Sequence, residues 1–239
     1  MSNNIFEKNL PSINYISKRW PNSKIYLQKY FFKVFNKPDF FKLTNLCFKE
    51  LKVSRRNNYK IMIRNIASKC STNFYFNKFH DLHHFKAVLL ISTIFAIKFH
   101  INKFEAFLVI IISLTHDMGH LGKRILKKPY FQEKKTIVDL EKILFKFLLN
   151  GEKWRRIKKI ILNTYFNKLP EDTNDRVEKI ILFADISSSL IFGKKIGLLM
   201  AKKLKLEINY DGKSSKLYDD FLKRCKQRKL ICLKEYDKI

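Results

Sequence analysis

Apolar residues crowd two stretches of the chain, Ala87–Ile97 and Phe104–Thr115, and occupy every face of a helix there rather than one stripe. Each is shorter than the roughly 20 residues a membrane span requires. Lys98, His100, Asn102, Lys103 and Glu105 separate them. The pattern predicts two buried core helices joined by a short turn, at about 80–99 and 104–118. Further helices are expected at about 134–149, 153–167, 174–191 and 194–206, with Asn150–Gly151 as a break. Asp172–Asp175 reads as a loop and N-cap ahead of the helix that carries Ala184 and Asp185. Residues 5–70 read as short helices interrupted at Pro11, Pro21 and Pro38, with Phe31, Phe32, Phe35, Phe40 and Phe41 supplying aromatic packing. Residues 71–79 form a polar and aromatic lead-in. No run keeps a strict period of two, and no internal repeat is visible. The expected fold class is all-α: a compact multi-helix bundle forming one domain over 1–239. Within it, 1–70 is an N-terminal helical part, 71–191 the core and 192–239 a set of basic C-terminal helices.

Composition narrows the class. With 46% hydrophobic and 29% charged residues over 239 positions, the chain can bury a full core, which excludes disorder as its main state. Cys47, Cys70, Cys225 and Cys232 form no paired CxxC spacing, so neither a disulfide framework nor a cysteine zinc site is indicated, and a reducing compartment is the simplest expectation. Met1–Leu10 has no apolar core of a secretory signal; a cytoplasmic location is the expectation. The 49 basic residues against 21 acidic ones leave a net charge of +28. That charge would attract nucleic acid or an acidic membrane. Yet the basic residues are dispersed, and Lys, Ile, Asn and Phe are abundant together, as AT-rich codons would produce. Compositional drift is the favoured source of the charge.

The histidines carry more information. All six, His80, His83, His84, His100, His116 and His120, fall within residues 80–120. His80 and His84 are four apart and share a helical face, and His116 and His120 repeat the relation. Asp117 follows an apolar run, where an unpaired carboxylate would be costly to bury. A metal ion removes that cost. Cations that activate water for phosphate-ester hydrolysis use mixed histidine and carboxylate ligands with open positions, and two adjacent ions need a shared carboxylate. Asp117 suits the shared position. Asp185, the one carboxylate in the apolar segment Ile180–Ile186, is the best distant ligand.

This order of residues resembles the metal-binding pattern of the HD-domain phosphohydrolase superfamily, and most closely the cyclic nucleotide phosphodiesterase catalytic domain. That family's N-x-Y-H-N-x-x-H-x-x-x-V segment is similar to Asn77-Lys78-Phe79-His80-Asp81-Leu82-His83-His84-Phe85-Lys86-Ala87-Val88. Its H-D-x-x-H-x-G segment is matched by His116-Asp117-Met118-Gly119-His120-Leu121-Gly122, and its A-D-[IL]-S by Ala184-Asp185-Ile186-Ser187. The resemblance implies an HD-type bundle around a metal site that hydrolyses cAMP or cGMP to the 5′-nucleotide with metal-activated water. It implies that His84, His116, Asp117 and Asp185 bind the first of two divalent ions, zinc in the family, with Asp117 bridging to a second, magnesium or manganese. It implies that His80 is the general acid and that His120 lies near the phosphate or the second ion's water shell. His83 and His100 match no functional position and are read as structural.

The chain departs from the family at several places. Asp81 replaces an asparagine, which bears on how His80 is oriented, and Ala87 replaces a frequent acidic residue. Ile125 and Ser188 stand where asparagine is frequent, and Phe183 where a polar residue is common. A shifted register, Tyr75–His80, would make His80 a metal ligand and put Phe76 at the acid position. The register with His80 as acid and His84 as ligand is preferred, because it uses both histidines of the spaced pair. Gln227, in the segment Lys226–Ile231, is weakly similar to the family's purine-binding glutamine and is read instead as part of a solvated basic helix. The alternatives to a cyclic nucleotide phosphodiesterase are another HD-domain nucleotide phosphohydrolase, or a catalytically weakened domain that binds an acidic partner such as RNA or lipid.

Overall fold

The computed structural model describes residues 11–27, 40–53, 61–62, 64–66, 68–69, 77–123, 128–144, 151–165, 172–188 and 190–227. Among the described residues its helices include α1 (Ile13–Lys18), α2 (Phe40–Glu50), α3 (Leu82–Lys98), α4 (Lys103–Thr115), α5 (Phe131–Leu144), α6 (Gly151–Asn163), α7 (Arg176–Ser187), α8 (Lys194–Glu207) and α9 (Ser214–Gln227). No strand occurs among the described residues, so the fold is all-α. Among these residues no helix is long and apolar enough to cross a membrane.

α3 and α4 form the centre, as their all-round apolar pattern requires. Every residue from His84 to Ala96 and from Ala106 to Thr115 is buried. α4 is rich in Val, Ile and Thr, which are indifferent helix formers. Its helicity comes from packing: each fully buried aliphatic side chain contributes about 1.5–3 kcal/mol. α3 packs against α1, α2, α4 and α7, and α7 also touches α4 and α6. One apolar cluster runs from Ile13 in α1 to Cys225 in α9. α6 is amphipathic, with Ile157, Ile160 and Ile161 turned inward.

The caps determine where the site-bearing helices begin. Asp81 accepts from the backbone N–H groups of His83 and His84, starting α3 just after His80. Asn102 caps α4 through the N–H of Glu105. Asp175 caps α7 through Val177 and Glu178, as its position in the sequence predicted. Arg156 of α6 fixes that cap with a two-pronged contact to Asp175, at 2.7 and 2.8 Å, and a 3.2 Å bond to Glu105 of α4. Three helices are joined there, at the end opposite the histidines.

Three expected helix ends were too long: α6 ends at Asn163 rather than near 167, and the other two bear on the site. α4 stops at Thr115 rather than near 118. Beyond it His116–Gly119 form a turn with bonds from Met118 N to Thr115 O and from His120 N to Asp117 O, both 2.9 Å. The cause is a close approach: a Cβ on Gly119 would lie 2.6 Å from both the Gln132 carbonyl oxygen and the Thr136 amide nitrogen of α5. α7 ends at Ser187 rather than 191, where Ser188 turns its hydroxyl onto the Asp185 carbonyl at 2.8 Å. α5 starts at Phe131, earlier than the expected 134, because the Tyr130 carbonyl already accepts from Lys134. α9 was foreseen only as part of a basic C-terminal region. Phe76, Ile125 and Phe31 to Phe35 lie outside the described residues, as does the side chain of Gln227.

Candidate metal centre and its acid–base pair

Three helices deliver the site. α3 carries His84 in its first turn, His116 and Asp117 follow the last turn of α4, and Asp185 sits in the last turn of α7. One ligand atom from each of these four residues lies within 4.8 Å of all the others. His84 Nε2 is 3.3 Å from His116 Nε2, 3.3 Å from Asp117 Oδ2 and 3.2 Å from Asp185 Oδ1. His116 Nε2 is 3.0 Å from Asp117 Oδ2 and 3.8 Å from Asp185 Oδ1.

The far nitrogens of the rings determine what these near ones are. His116 Nδ1 faces the Ser113 carbonyl at 3.2 Å, and a carbonyl only accepts, so Nδ1 carries the proton. Ser188 Oγ gives its proton to the Asp185 carbonyl and therefore accepts from His84 Nδ1, 3.4 Å away. In the neutral rings both Nε2 atoms then present lone pairs. Two nitrogen lone pairs and two carboxylate oxygens converge on one point, an arrangement that calls for positive charge. The same demand appears in the ionisation of the ligands. Burial opposes a charge on His84, but the Asp117 and Asp185 carboxylates outweigh it and push its pKa up to about 10. His116 is raised in the same way, against burial, by Asp117. Burial likewise opposes ionisation of Asp117, yet His116 and His80 hold it well below the carboxylate range.

Two protons or one cation would meet that demand. Protonating both Nε2 atoms would set two N–H groups against each other at 3.3 Å. A cation with bonds of about 2.0–2.1 Å to tetrahedral ligands sets those ligands about 3.3 Å apart, close to the distances found here. The donor set therefore fits a divalent metal. His84 and His116 are buried at 1% and 0% side-chain exposure, while Asp117 and Asp185 retain 15% and 24%. The site has a closed histidine floor and opens to solvent along its carboxylates.

Beside it lies a second group of His80, His120 and Glu207. Glu207, the last residue of α8, is almost fully buried and accepts three hydrogen bonds: from Phe79 N at 2.7 Å, His80 N at 3.1 Å and His80 Nδ1 at 2.5 Å. Burial opposes its charge, but the His80 hydrogen bond and the charges of His80 and His120 bring its pKa down to about 2. The opposite nitrogen, His80 Nε2, points toward the four-residue cluster, 3.7 Å from Asp117 Oδ2. This is the arrangement of an acid–base histidine oriented by a buried carboxylate. The ring of His120 stacks on that of His80, centroids 3.6 Å apart and 27° from parallel. Stacked rings direct their in-plane lone pairs side by side rather than at one point, so this trio matches an ion less well than the first cluster does.

The sequence-predicted residues thus come together: His84, His116, Asp117 and Asp185 in one cluster, and His80 next to it but outside it. His120 lies on the face of His80. Asp81 caps α3 and pairs with Lys203 of α8. Ser188, a departure from the family, touches His84, and Phe183 packs in the core, its ring 4.5 Å from that of Phe95. His100 is at the turn between α3 and α4 with φ +49°. Sequence reasoning missed Glu207. Its one signal was weak: it is the first acidic residue after Asp185, closing a lysine-rich helix.

No protein-family model, curated protein or solved structure matches this chain. The likeness to the phosphodiesterase domain is carried by the three motifs alone.

Proposed function

We propose that this chain is a metal-dependent phosphoric diester hydrolase acting on 3′,5′-cyclic nucleotides. The observation that carries the reading is the convergence of four metal-type donors, the two histidine nitrogens lying 3.0–3.8 Å from each other and from the carboxylate oxygens, next to a histidine whose Nε2 faces them. A divalent cation bound there would supply Lewis acidity toward the phosphoryl oxygens and lower the pKa of a water molecule. The chain's own residues do the rest. His84 and His116 form a rigid floor, each with its Nδ1–H engaged, so their Nε2 atoms are aimed before any ligand arrives. Asp117 and Asp185 close the set and face solvent, where a phosphodiester enters. Asp117 suits the shared position between a first ion, zinc in the family, and a second, magnesium or manganese. His80 holds a proton on Nε2 and delivers it to the departing ribose oxygen. Glu207, opposite on Nδ1, stabilises the charge that His80 carries in that state. The choice of a cyclic nucleotide rests on the likeness of residues 77–88, 116–122 and 184–187 to that family.

The test is turnover of cAMP and cGMP by the full chain with added Mn²⁺ or Mg²⁺, with and without chelator. Formation of the 5′-nucleotide, abolished by chelator and restored by metal, is expected. A folded, zinc-loaded protein that hydrolyses neither substrate overturns the reading.

A further inference from the structure

Among the described residues, the His80 side chain makes one hydrogen bond, to Glu207. That bond fixes where Nδ1 points but leaves the ring free to swing out of plane. What limits the swing is the face of His120, stacked at 3.6 Å, with Phe79 and His84 edge-on at 4.8 and 5.3 Å. His120 is itself unusually well held. Its carbonyl accepts from Asn77 Nδ2 at 3.1 Å, and its Nδ1 accepts from the Gly122 amide at 3.1 Å. The next amide, Leu121 N, donates to Gln132 Oε1 at 2.7 Å. Gly122 has φ +66°, and a Cβ there would lie 2.5 Å from Asn77 Oδ1, so only glycine lets Asn77 close on this loop. Asn77, the His120–Gly122 loop and the start of α5 form a bracket whose product is the position of one imidazole ring.

We infer that His120 is a positioning residue that acts through its ring face, holding His80 with Nε2 toward the metal ligands, and neither transfers a proton nor touches the phosphate. The inference rests on the proposed hydrolase reading for its kinetic consequence, but not for its structural one. It also gives Asn77, Gln132 and Gly122 a common task.

Three variants separate the face from the polar atoms. His120→Phe keeps an aromatic face and loses both nitrogens, His120→Gln keeps polar atoms and loses the face, and His120→Ala loses both. Metal content is measured in each as a control. The expected result is kcat within a few-fold of wild type for His120→Phe. His120→Gln and His120→Ala should lose about 10- to 100-fold in kcat with KM unchanged, as expected of a displaced catalytic group. A readout independent of turnover is the low-field proton resonance of His80 Nδ1–H in its short bond to Glu207. It should stay sharp in wild type and His120→Phe and broaden in His120→Gln and His120→Ala. A wild-type rate in His120→Gln with loss in His120→Phe would overturn the inference in favour of a polar role. If the wild-type chain hydrolyses nothing, the hydrolase reading fails, and the resonance alone decides: broadening in His120→Phe or none in His120→Ala refutes the stack.

Discussion

Replacing Glu207 by glutamine removes one charge from a side chain that has almost no access to water. The carboxylate accepts three hydrogen bonds, two on Oε2 from backbone amides and one on Oε1 from His80 Nδ1. A glutamine has only one acceptor oxygen. If that oxygen faces His80, the new NH₂ group confronts the two amide donors of Phe79 and His80. If the amide is reversed, the NH₂ confronts Nδ1–H. Either way a charge-assisted bond, about 1.5–3 kcal/mol, gives way to a donor–donor contact. The pKa of Glu207 gives a second measure. Held at about 2 instead of the ordinary 4.5, the carboxylate contributes about 3 kcal/mol to folding. Because the folded value is the lower one, that contribution is complete above pH 4.5 and is lost as the pH falls toward 2. Urea unfolding at pH 7 should therefore show Glu207→Gln less stable by about 3 kcal/mol. Its stability should also fall less steeply than that of wild type between pH 5 and 2. Since Glu207 bonds to Phe79 and His80 and not to the four proposed ligands, metal content should be unchanged. The rate of cyclic nucleotide hydrolysis should drop about 10²- to 10⁴-fold, as for a lost general acid. A glutamine variant with wild-type turnover and a wild-type acid profile would refute the account of His80.

Other changes give distinct outcomes. His80→Ala should keep its metal and turn over slowly, with partial rescue by bis-nitrophenyl phosphate, whose leaving group needs no proton; His84→Ala should lose metal and activity without rescue. The reverse pattern would restore the register in which His80 is a ligand. Gly119→Ala should cost about 1–3 kcal/mol in thermal or urea unfolding, since its Cβ would meet α5 backbone that cannot step aside; an unchanged melting temperature would show that the turn relaxes freely. Arg156→Met should weaken the joint of α4, α6 and α7 and blunt acid sensitivity. Burial opposes the charge of Asp175, but Arg156 holds its carboxyl below the usual range, so this contribution is present above about pH 4 and lost below it; identical acid-unfolding curves would exclude it.

What the sequence disclosed followed from local chemistry. The unbroken apolar runs had to be central helices, because only a buried helix is apolar on all sides. The spacing of His80 and His84 suggested one helical face, but Asp81 caps α3 and leaves His80 ahead of the helix; what held is that His84 joins His116, Asp117 and Asp185 while His80 stays outside that cluster. What stayed hidden depends on distant chain or on tight approach. Glu207 is 127 positions from His80, and nothing in a lysine-rich amphipathic helix announces that its final carboxylate turns into the core. The end of α4 was misplaced because it is fixed by Gly119 meeting the backbone of α5, a contact without a local signature. His120 looked like a second helical partner of His116. The turn at 116–119 breaks that helix and lays the His120 ring on His80 instead.

The claim on which the rest depends is that four donors surround a cation. The most direct measurement is elemental analysis of the purified full chain after zinc loading and exhaustive dialysis, alongside Asp117→Ala. The account predicts about one tightly held ion per chain in wild type. It predicts a large loss in Asp117→Ala, with helical content by circular dichroism nearly unchanged. A folded wild-type protein that retains no metal after zinc loading would contradict it.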